Sequence, residues 1–430
     1  MIRKDVPRRC IELLKKHGAQ KAQCVLTETK RYQVKAAVGR LSLLRSTSNT
    51  DIRLLAVRDG RQGQVSVNAT GKSEILAAVK QAVQAAKASP RDAAYGISEW
   101  QPERDFSRGD AAPDLGGMCA RMAEFLKAAK THPGLSLAEA ALGFSLEKKI
   151  FLNSNGVRFS SSVGVYDLSL DFSSAAGGRS SSVNFASLSM PDLSRPLMEC
   201  GSIGLLLKQS AASVRTKPVN SKFIGDIVVS PECLGSFLGF ITEDSLRDPR
   251  IISGTSRYKD KIGSVVAAKG FTLGSMPLSP EIAAGYFVTP DGYKAENVQV
   301  IENGRLKAFI LSRCGAKKTG LARTANSGGC YVVDPGPEKF TNIVKSVKRG
   351  LLVTRFSGGA PNQAGDFSGL AKNSFYIENG KIRFPVSETM ISGNIPEMFM
   401  KIKHISKERV NLGDAIYPWI NFSGVTISGK

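Results

Sequence analysis

The stretch GDFSGLAKNSFYIENGK, residues 365–381, is the most informative part of this chain for its fold. It overlaps a glycine-rich segment, 357–369, that lies between strand-like runs at 351–356 and 375–377. Asn379-Gly380 is a hairpin signal, because both residue types tolerate the positive φ of a tight turn. The pattern predicts short strands joined by tight turns in the second half of the chain.

The glycine-rich segment is also a candidate binding site. Glycine permits positive φ and close backbone approach, so a bound peptide or an adjoining strand could reach main-chain donors there. The candidate substrate-binding residues are Gly358, Gly359, Gly365 and Asp366. Spacing alone favours a simpler alternative, an ordered connection in which Asp366 stabilises its turn.

The N-terminal part of the chain shows a helix, an antiparallel meander and a second helix. Apolar residues at 11, 13 and 14 follow Pro7, which suits the first turn of a helix. Alternating or apolar runs then cover residues 24–69, with a hairpin signal at Asp59-Gly60. Ser73 is the expected N-cap of the second helix.

The best domain boundary is Thr216-Lys217-Pro218, because a new strand-like run begins at residue 224. Before it, residues 90–113 read as an extended crossing segment that could line an interface, and a helix is predicted over 196–214. The predicted fold class is α+β. It comprises an N-terminal α+β domain, 1–217, and a strand-rich C-terminal domain, 218–430.

Net charge bears on the choice of partner. The chain has 59 Lys plus Arg against 37 Asp plus Glu, a net charge of +22, which favours a polyanionic partner. The basic residues are nevertheless spread along the chain, and no nucleic-acid motif is visible. A generally basic surface is the favoured interpretation, with nucleic-acid binding as the alternative.

Cysteine usage and hydropathy indicate a cytoplasmic protein. The seven cysteines include no CxxC pair and are odd in number, so we expect reduced thiols. No run approaches the roughly 18 to 20 apolar residues of a membrane helix. The N-terminal residues show no secretory signal, and no membrane partner is expected.

Residues 365–394, with FLNSNGV at 151–157 and VTISG at 425–429, closely resemble the TldD/PmbA family. This family comprises metallopeptidase-related proteins that are also labelled modulators of DNA gyrase. The resemblance implies that family's fold over most of the chain. In TldD-type members it implies a zinc peptidase whose HExxxH helix and C-terminal cysteine hold the metal. The PmbA type, also called TldE, lacks these ligands.

The counterpart of the metal helix in this chain reads SPECLGSFLGFITEDS, residues 230–245, and contains no histidine. We expect it to be an amphipathic packing helix with Ser230 as its N-cap and Glu232 as a first-turn acid favoured by the helix dipole. Glu243 and Asp244 are adjacent and point in different directions on a helix, so they form no chelating face.

Other metal ligands are also missing from the sequence. The chain has three histidines, none at helical ligand spacing: His17, His132 and His404. No cysteine follows Cys330, so the family's C-terminal cysteine ligand is absent. We therefore expect no catalytic residue, no metal ligand and no cofactor in this chain.

The resemblance further implies a partnership. We expect a dimer, either a homodimer or a pair with a TldD-type subunit that supplies the zinc, and an unfolded peptide as substrate. This chain would close a chamber and present strand edges to the peptide. Two alternatives stay open: a regulatory protein associated with DNA or a topoisomerase, and an independent hydrolase using a cysteine or an unrecognised metal site.

Overall fold

The computed structural model describes residues 5–37, 40–387 and 389–429. Residues 1–4, on which the expectation about a secretory signal partly rests, lie outside these ranges. The described residues form two β-sheets with helices packed on them. The predicted α+β class is confirmed.

The first sheet is built from the N-terminal half. Within the described residues it has eight strands: β1 (Lys21–Ala37), β2 (Arg40–Arg58), β3 (Arg61–Val67), β4 (Arg104–Arg108), β5 (Leu135–Asn153), β6 (Arg158–Ala176), β7 (Arg179–Ser180) and β8 (Asn184–Met190). The main strand order is β3-β2-β1-β5-β6-β4, and β7 and β8 also pair with β6. The pairs are antiparallel except β4 with β6, which is parallel.

Four helices belong to this half: α1 (Asp5–Lys16), α2 (Lys72–Ala88), α3 (Leu115–Ala129) and α4 (Ile203–Ala212). Helix α1 buries Val6, Cys10 and Leu14, whose spacing of four places them on one face. That face joins the same hydrophobic core as the buried face of α2 and the inward residues of β1 and β2. The predicted helix, meander, helix pattern is confirmed.

Two local predictions in this half are wrong. Helix α2 begins at Lys72 with Gly71 in the N-cap position, so Ser73 does not cap it; the Ser73 hydroxyl donates to Glu74 at 2.8 Å instead. The helix predicted over 196–214 is interrupted. A single 3-10 turn at Leu197–Glu199 precedes α4, and Gly201 between them has a φ of +55°, which an α-helix cannot contain.

The second sheet has thirteen strands within the described residues. They are β9 (Lys222–Val229), β10 (Leu273–Ser275), β11 (Val298–Glu302), β12 (Arg305–Leu306), β13 (Tyr331–Val333), β14 (Arg349–Val353), β15 (Arg355–Gly358), β16 (Asp366–Lys372), β17 (Phe375–Glu378), β18 (Lys381–Pro385), β19 (Met390–Asn394), β20 (Ile402–Asn411) and β21 (Ile416–Ser428). Its main path is β12-β11-β10-β13-β21-β9-β14-β17-β18. Strands β15, β16, β19 and β20 branch from this path, with β19 and β20 pairing β21.

Five further helices lie in this half of the described chain: α5 (Pro231–Gly239), α6 (Asp248–Ile252), α7 (Arg313–Thr319), α8 (Phe340–Ser346) and α9 (Ile395–Met400). The largest hydrophobic core joins α5 and α9 to the inner face of this sheet and includes the fully buried Phe237, Phe399 and Phe422. None of the described helices is both long and apolar enough to span a membrane.

The segment 90–113 crosses between the two halves, as its extended composition predicted. Gln101 donates to the carbonyl of Gly292 at 2.8 Å. Arg108 donates to the carbonyls of Pro277 and Ile282 at 3.0 and 2.8 Å. The predicted boundary between residues 217 and 218 falls between α4 and β9, and we retain it as a proposal.

Candidate functional site

Helix α5 occupies the position at which the sequence placed the candidate metal helix. Strand β9 ends at Val229, and Pro231 takes the first helical position, where its missing N–H is not needed. Ser230 stands at the N-cap, but its side chain makes no capping bond, and its hydroxyl has no partner among the described residues. The predicted capping role of Ser230 is therefore wrong, although the helix starts where predicted.

The buried side chains of α5 make it a core helix. Leu234, Phe237 and Leu238 are each 1% exposed or less. The Phe237 ring lies 5.3 Å from the Phe356 ring and 5.4 Å from the Phe367 ring, which ties α5 to β15 and β16. Such aromatic pairs contribute beyond the apolar area they bury.

A π-helical turn, Phe240–Ser245, continues α5 and carries a polar cluster that sequence reasoning missed. The Tyr331 hydroxyl donates to Glu243 Oε1 at 2.9 Å, and Arg247 Nε lies 2.6 Å from Glu243 Oε2. Burial, together with the charge of Glu243, raises the pKa of Tyr331, so the phenol stays a proton donor. The carboxylate of Glu243 is thus already engaged by two partners.

The glycine-rich segment forms the connection between β15 and β16. These strands pair from Arg355↔Lys372 to Gly358↔Gly369, so Gly358 ends one strand of a hairpin. In the sheet pairing of the described chain, β15 is bonded on one side only, to β16. Gly359 follows in open space, since a Cβ built there would meet no atom within 4 Å. An unpaired strand edge therefore ends at a sterically open glycine.

Gly365 and Asp366 lie at the other end of the same connection. Gly365 has a φ of +90°, and a Cβ there would lie 2.6 Å from Pro396 and 3.0 Å from Phe240. The carboxylate of Asp366 accepts from the side-chain amides of Asn362 and Asn394, each at 2.9 Å. These hydrogen bonds lower the pKa of Asp366 and organise the turn.

The chain is similar in sequence to several known proteins. A family profile described as the PmbA/TldA metallopeptidase C-terminal domain matches residues 224–429. A metalloprotease PmbA homologue from Haemophilus influenzae is 25% identical over 426 residues, 93% of this chain and 90% of that protein. A PmbA homologue from Buchnera aphidicola is 31% identical over 160 residues, 35% of this chain and 33% of that protein. Residues 224–429 therefore match the C-terminal domain of that family, and the Haemophilus influenzae relative extends the similarity over most of the chain.

Two solved structures share the fold of this chain. TldE from Thermococcus kodakarensis superposes with a TM-score of 0.84 at 19% identity, covering 98% of this chain and 99% of the other. A protein from Bacteroides thetaiotaomicron described as a modulator of DNA gyrase superposes with a TM-score of 0.87 at 21% identity, covering 99% of both chains. Both matches span the two sheets, so these two proteins share the fold of this chain from end to end.

The residues on α5 do not fit the zinc site that the TldD type of this family implies. Catalytic zinc takes three protein ligands, and thiolate ligands must be deprotonated. Cys233 is buried, and desolvation raises its pKa to about 12, while Glu232 has one oxygen with no partner among the described residues. No group of three or more His, Cys, Asp or Glu residues suited to a metal occurs within the described ranges.

Two of the three histidines, His132 and His404, lie in separate parts of the fold. His404 lies in β20 and faces Asn421 of β21, so both residues are part of the second sheet. His132 follows α3, and its Nδ1 is buried with no partner among the described residues. Neither of these two imidazoles lies on α5 or on the π-helical turn that continues it.

Most of the cysteines lie in environments that do not activate a thiol nucleophile. Burial raises the pKa of Cys330 to about 11 and also raises the pKa of Cys200 and Cys314. A mutual hydrogen bond lowers the pKa of Cys10 and raises that of Cys24, and both thiols are fully buried. Reactive cysteines are partly exposed and have lowered pKa values, so none of these environments favours a cysteine hydrolase.

A cavity of about 570 Å³ lies on the open face of the first sheet. Its walls include Val25, Thr27, Arg53 and Lys149 from strands β1, β2 and β5, and residues 288–290 from the second half cover one side. The lining alternates along each strand because successive side chains point to opposite faces. No local sequence signal marks this cavity, since its walls come from segments more than 100 residues apart.

Proposed function

We propose that this chain is a metal-free, PmbA/TldE-type member of its family that supports cleavage or maturation of unfolded peptides as the partner of a zinc-bearing TldD-type subunit. The observation that carries the proposal is the composition of α5, which packs as a core helix and has no ligand set for zinc. The chain then holds no catalytic residue and no cofactor of its own. Zinc belongs to the partner subunit.

The contribution of this chain is to hold an extended peptide. The edge of β15 that faces away from β16 has no partner strand among the described residues, and peptides commonly add to such an edge as a further strand. Gly358 and Gly359 leave room beside that edge, while Gly365 and Asp366 keep the connection in shape. We propose these four as the substrate-binding residues, with the first two contacting the peptide and the last two positioning it.

Dimerisation is part of the same proposal. The cavity over the first sheet is open, and a second subunit would close it into a chamber. A TldD-type subunit and a second copy of this chain are both candidates for that subunit.

The seven thiols are all free in the structure, which supports a cytoplasmic location.

The test is hydrolysis of an unfolded peptide by this chain alone and after addition of a TldD-type homologue from the same genome, each with and without a chelator. We expect cleavage only in the mixture and its loss on chelation. A matched mixture that lacks this chain measures what the partner does by itself. Cleavage by this chain alone, or stoichiometric zinc in the purified chain, would contradict the proposal.

A second candidate is a protein associated with DNA or a topoisomerase. Cations and aromatic rings meet on strands β9, β14 and β18 and on the segment before β9. The Arg349 guanidinium lies 3.8 Å from the Phe223 ring, and Lys217 Nζ lies 5.7 Å from the Phe384 ring. With a net charge of +22, this surface suits a polyanion. A DNA affinity that falls steeply with salt would support this function, and absence of DNA binding at about 50 mM salt would remove it.

A further inference from the structure

We propose that a second cavity, formed by the loop 253–266 and α9, binds the C-terminal end of a peptide through its carboxylate and an apolar last side chain. The ligand class rests on the proposed function, since it takes peptides to be what this chain handles. The cavity measures about 690 Å³, within the usual range for small-ligand sites. Its cationic walls are Arg257, Lys261 and Lys401, and its apolar walls are Val265, Pro396 and Met400.

The charges of this C-terminus cavity favour an anion. Lys401 pairs with Glu397 at 3.4 Å, and Glu397 is also a lining residue. Lys261 has no carboxylate partner within 4.0 Å in the described part of the chain. Arg257 donates to the carbonyl of Ala364 at 2.7 Å, which holds its guanidinium at the rim while leaving other N–H groups for a ligand.

The apolar walls distinguish a peptide terminus from a simple anion. Val265 and Met400 are 49% and 48% exposed, so they present apolar surface directly beside the cations. Tyr258 also lines the cavity, and its hydroxyl is buried with no hydrogen-bond partner among the described residues. A carboxylate next to an apolar side chain satisfies both kinds of wall at once, which inorganic phosphate does not.

The C-terminus cavity adjoins the glycine-rich connection, and this favours a peptide over a lipid. The carbonyl of Ala364 accepts from Arg257 and also from the Asn394 side chain at 2.9 Å. Gln363 donates to the carbonyl of Thr255 at 3.2 Å, which fastens the connection to the loop. The connection runs from the free edge of β15 to the cavity wall, so an extended main chain bound at that edge is directed toward the cationic walls.

The test uses the purified full chain and a fluorescently labelled hexapeptide ending in leucine, made with a free C-terminal carboxylate and as the amide. We expect the acid to bind about tenfold more tightly than the amide in fluorescence anisotropy, because a charge-assisted hydrogen bond is lost. Lys261→Glu should weaken binding of the acid by about tenfold or more. Lys259→Glu is the matched control, since Lys259 is an exposed lysine two residues away that does not line the cavity.

The apolar wall has its own matched pair. Val265→Asn should weaken binding of the leucine peptide, whereas Ile262→Asn should not, because Ile262 is 48% exposed but lies outside the lining. Thermal unfolding of each variant shows whether its fold is intact. Equal affinity for acid and amide, or equal effects of Lys261→Glu and Lys259→Glu, would overturn the inference. Displacement of the peptide by laurate at lower concentration than by the unlabelled peptide would assign the cavity to lipids instead.

The two proposals fail separately. Acid-selective binding by this chain with no cleavage in the mixture would leave the C-terminus cavity standing and remove the partner function. Cleavage in the mixture with no acid selectivity would do the reverse.

Discussion

Gly365 is the residue of the glycine-rich connection whose identity the structure most requires. Its φ of +90° and the 2.6 Å approach to Pro396 leave no room for a side chain. We predict that Gly365→Ala lowers the free energy of unfolding by about 1–3 kcal/mol, through backbone strain and the displaced proline. Urea unfolding measures this, with Gly359→Ala as control, because a Cβ at Gly359 meets nothing within 4 Å. Equal stability of the two variants would contradict the packing described for Gly365.

The carboxylate of Asp366 makes the stability of the same connection depend on pH. Its pKa is lowered by the amides of Asn394 and Asn362, so the folded protein binds its proton less tightly than the unfolded chain does. Its stabilising contribution is therefore present above about pH 4, the ordinary range for Asp, and is lost as pH falls through the lowered pKa. Asp366→Asn should lower the unfolding midpoint at pH 7, and this effect should shrink as pH falls below the ordinary range for Asp.

The control for this titration is Asp334→Asn. Asp334 is exposed, and its side chain has no hydrogen-bond or ion-pair partner among the described residues, so Asp334→Asn should change the unfolding midpoint little. Thermal melts of both variants between pH 3 and pH 7 decide the matter. A constant effect of Asp366→Asn across that range would show that its carboxylate charge does not organise the turn.

Helix α5 is the element on which the functional proposal depends. Phe237 is 1% exposed and contacts two aromatic rings on β15 and β16. We predict that Phe237→Ala costs about 3–5 kcal/mol of unfolding free energy, as large-to-small changes in cores do. The exposed neighbour Ser236→Ala should stay within about 0.5 kcal/mol of the parent in the same urea titration. A small effect at Phe237 would mean that α5 is free to serve another role.

The two halves of the molecule are held together by contacts that no local pattern indicates. Arg108 donates to two carbonyls across the interface and lies 5.1 Å from the Phe287 ring. We predict that Arg108→Ala costs about 1–3 kcal/mol, because partly buried carbonyls lose their donor. Amide hydrogen exchange should then rise in the segment 277–287 but not in α5. Arg104→Ala, at an exposed position on the same strand, is the control.

Much of the fold was accessible from local patterns. The burial of Val6, Cys10 and Leu14 follows from their helical spacing, and the hairpin signals at Asp59-Gly60 and Asn379-Gly380 coincide with positive φ values. Two predictions that depended on which side chain caps a helix were wrong. Ser73 and Ser230 are both suitable capping residues, yet neither caps, because the helix start and the neighbouring contacts decide which side chain can reach a free amide.

Sequence pattern and family resemblance were enough for the fold class and the packing role of α5, because the spacing of apolar residues alone decides amphipathicity. Only the tertiary structure revealed three long-range contacts. Tyr331 bonds to Glu243, Arg108 donates to carbonyls of the second half, and Lys261 lines the same cavity as Met400. These partners are separated by 88, about 170 and 139 residues in the chain, respectively, and such distant contacts leave no periodic trace. The candidate binding surfaces belong to this second group, since each is assembled from loops and strand edges that meet only when both sheets are formed.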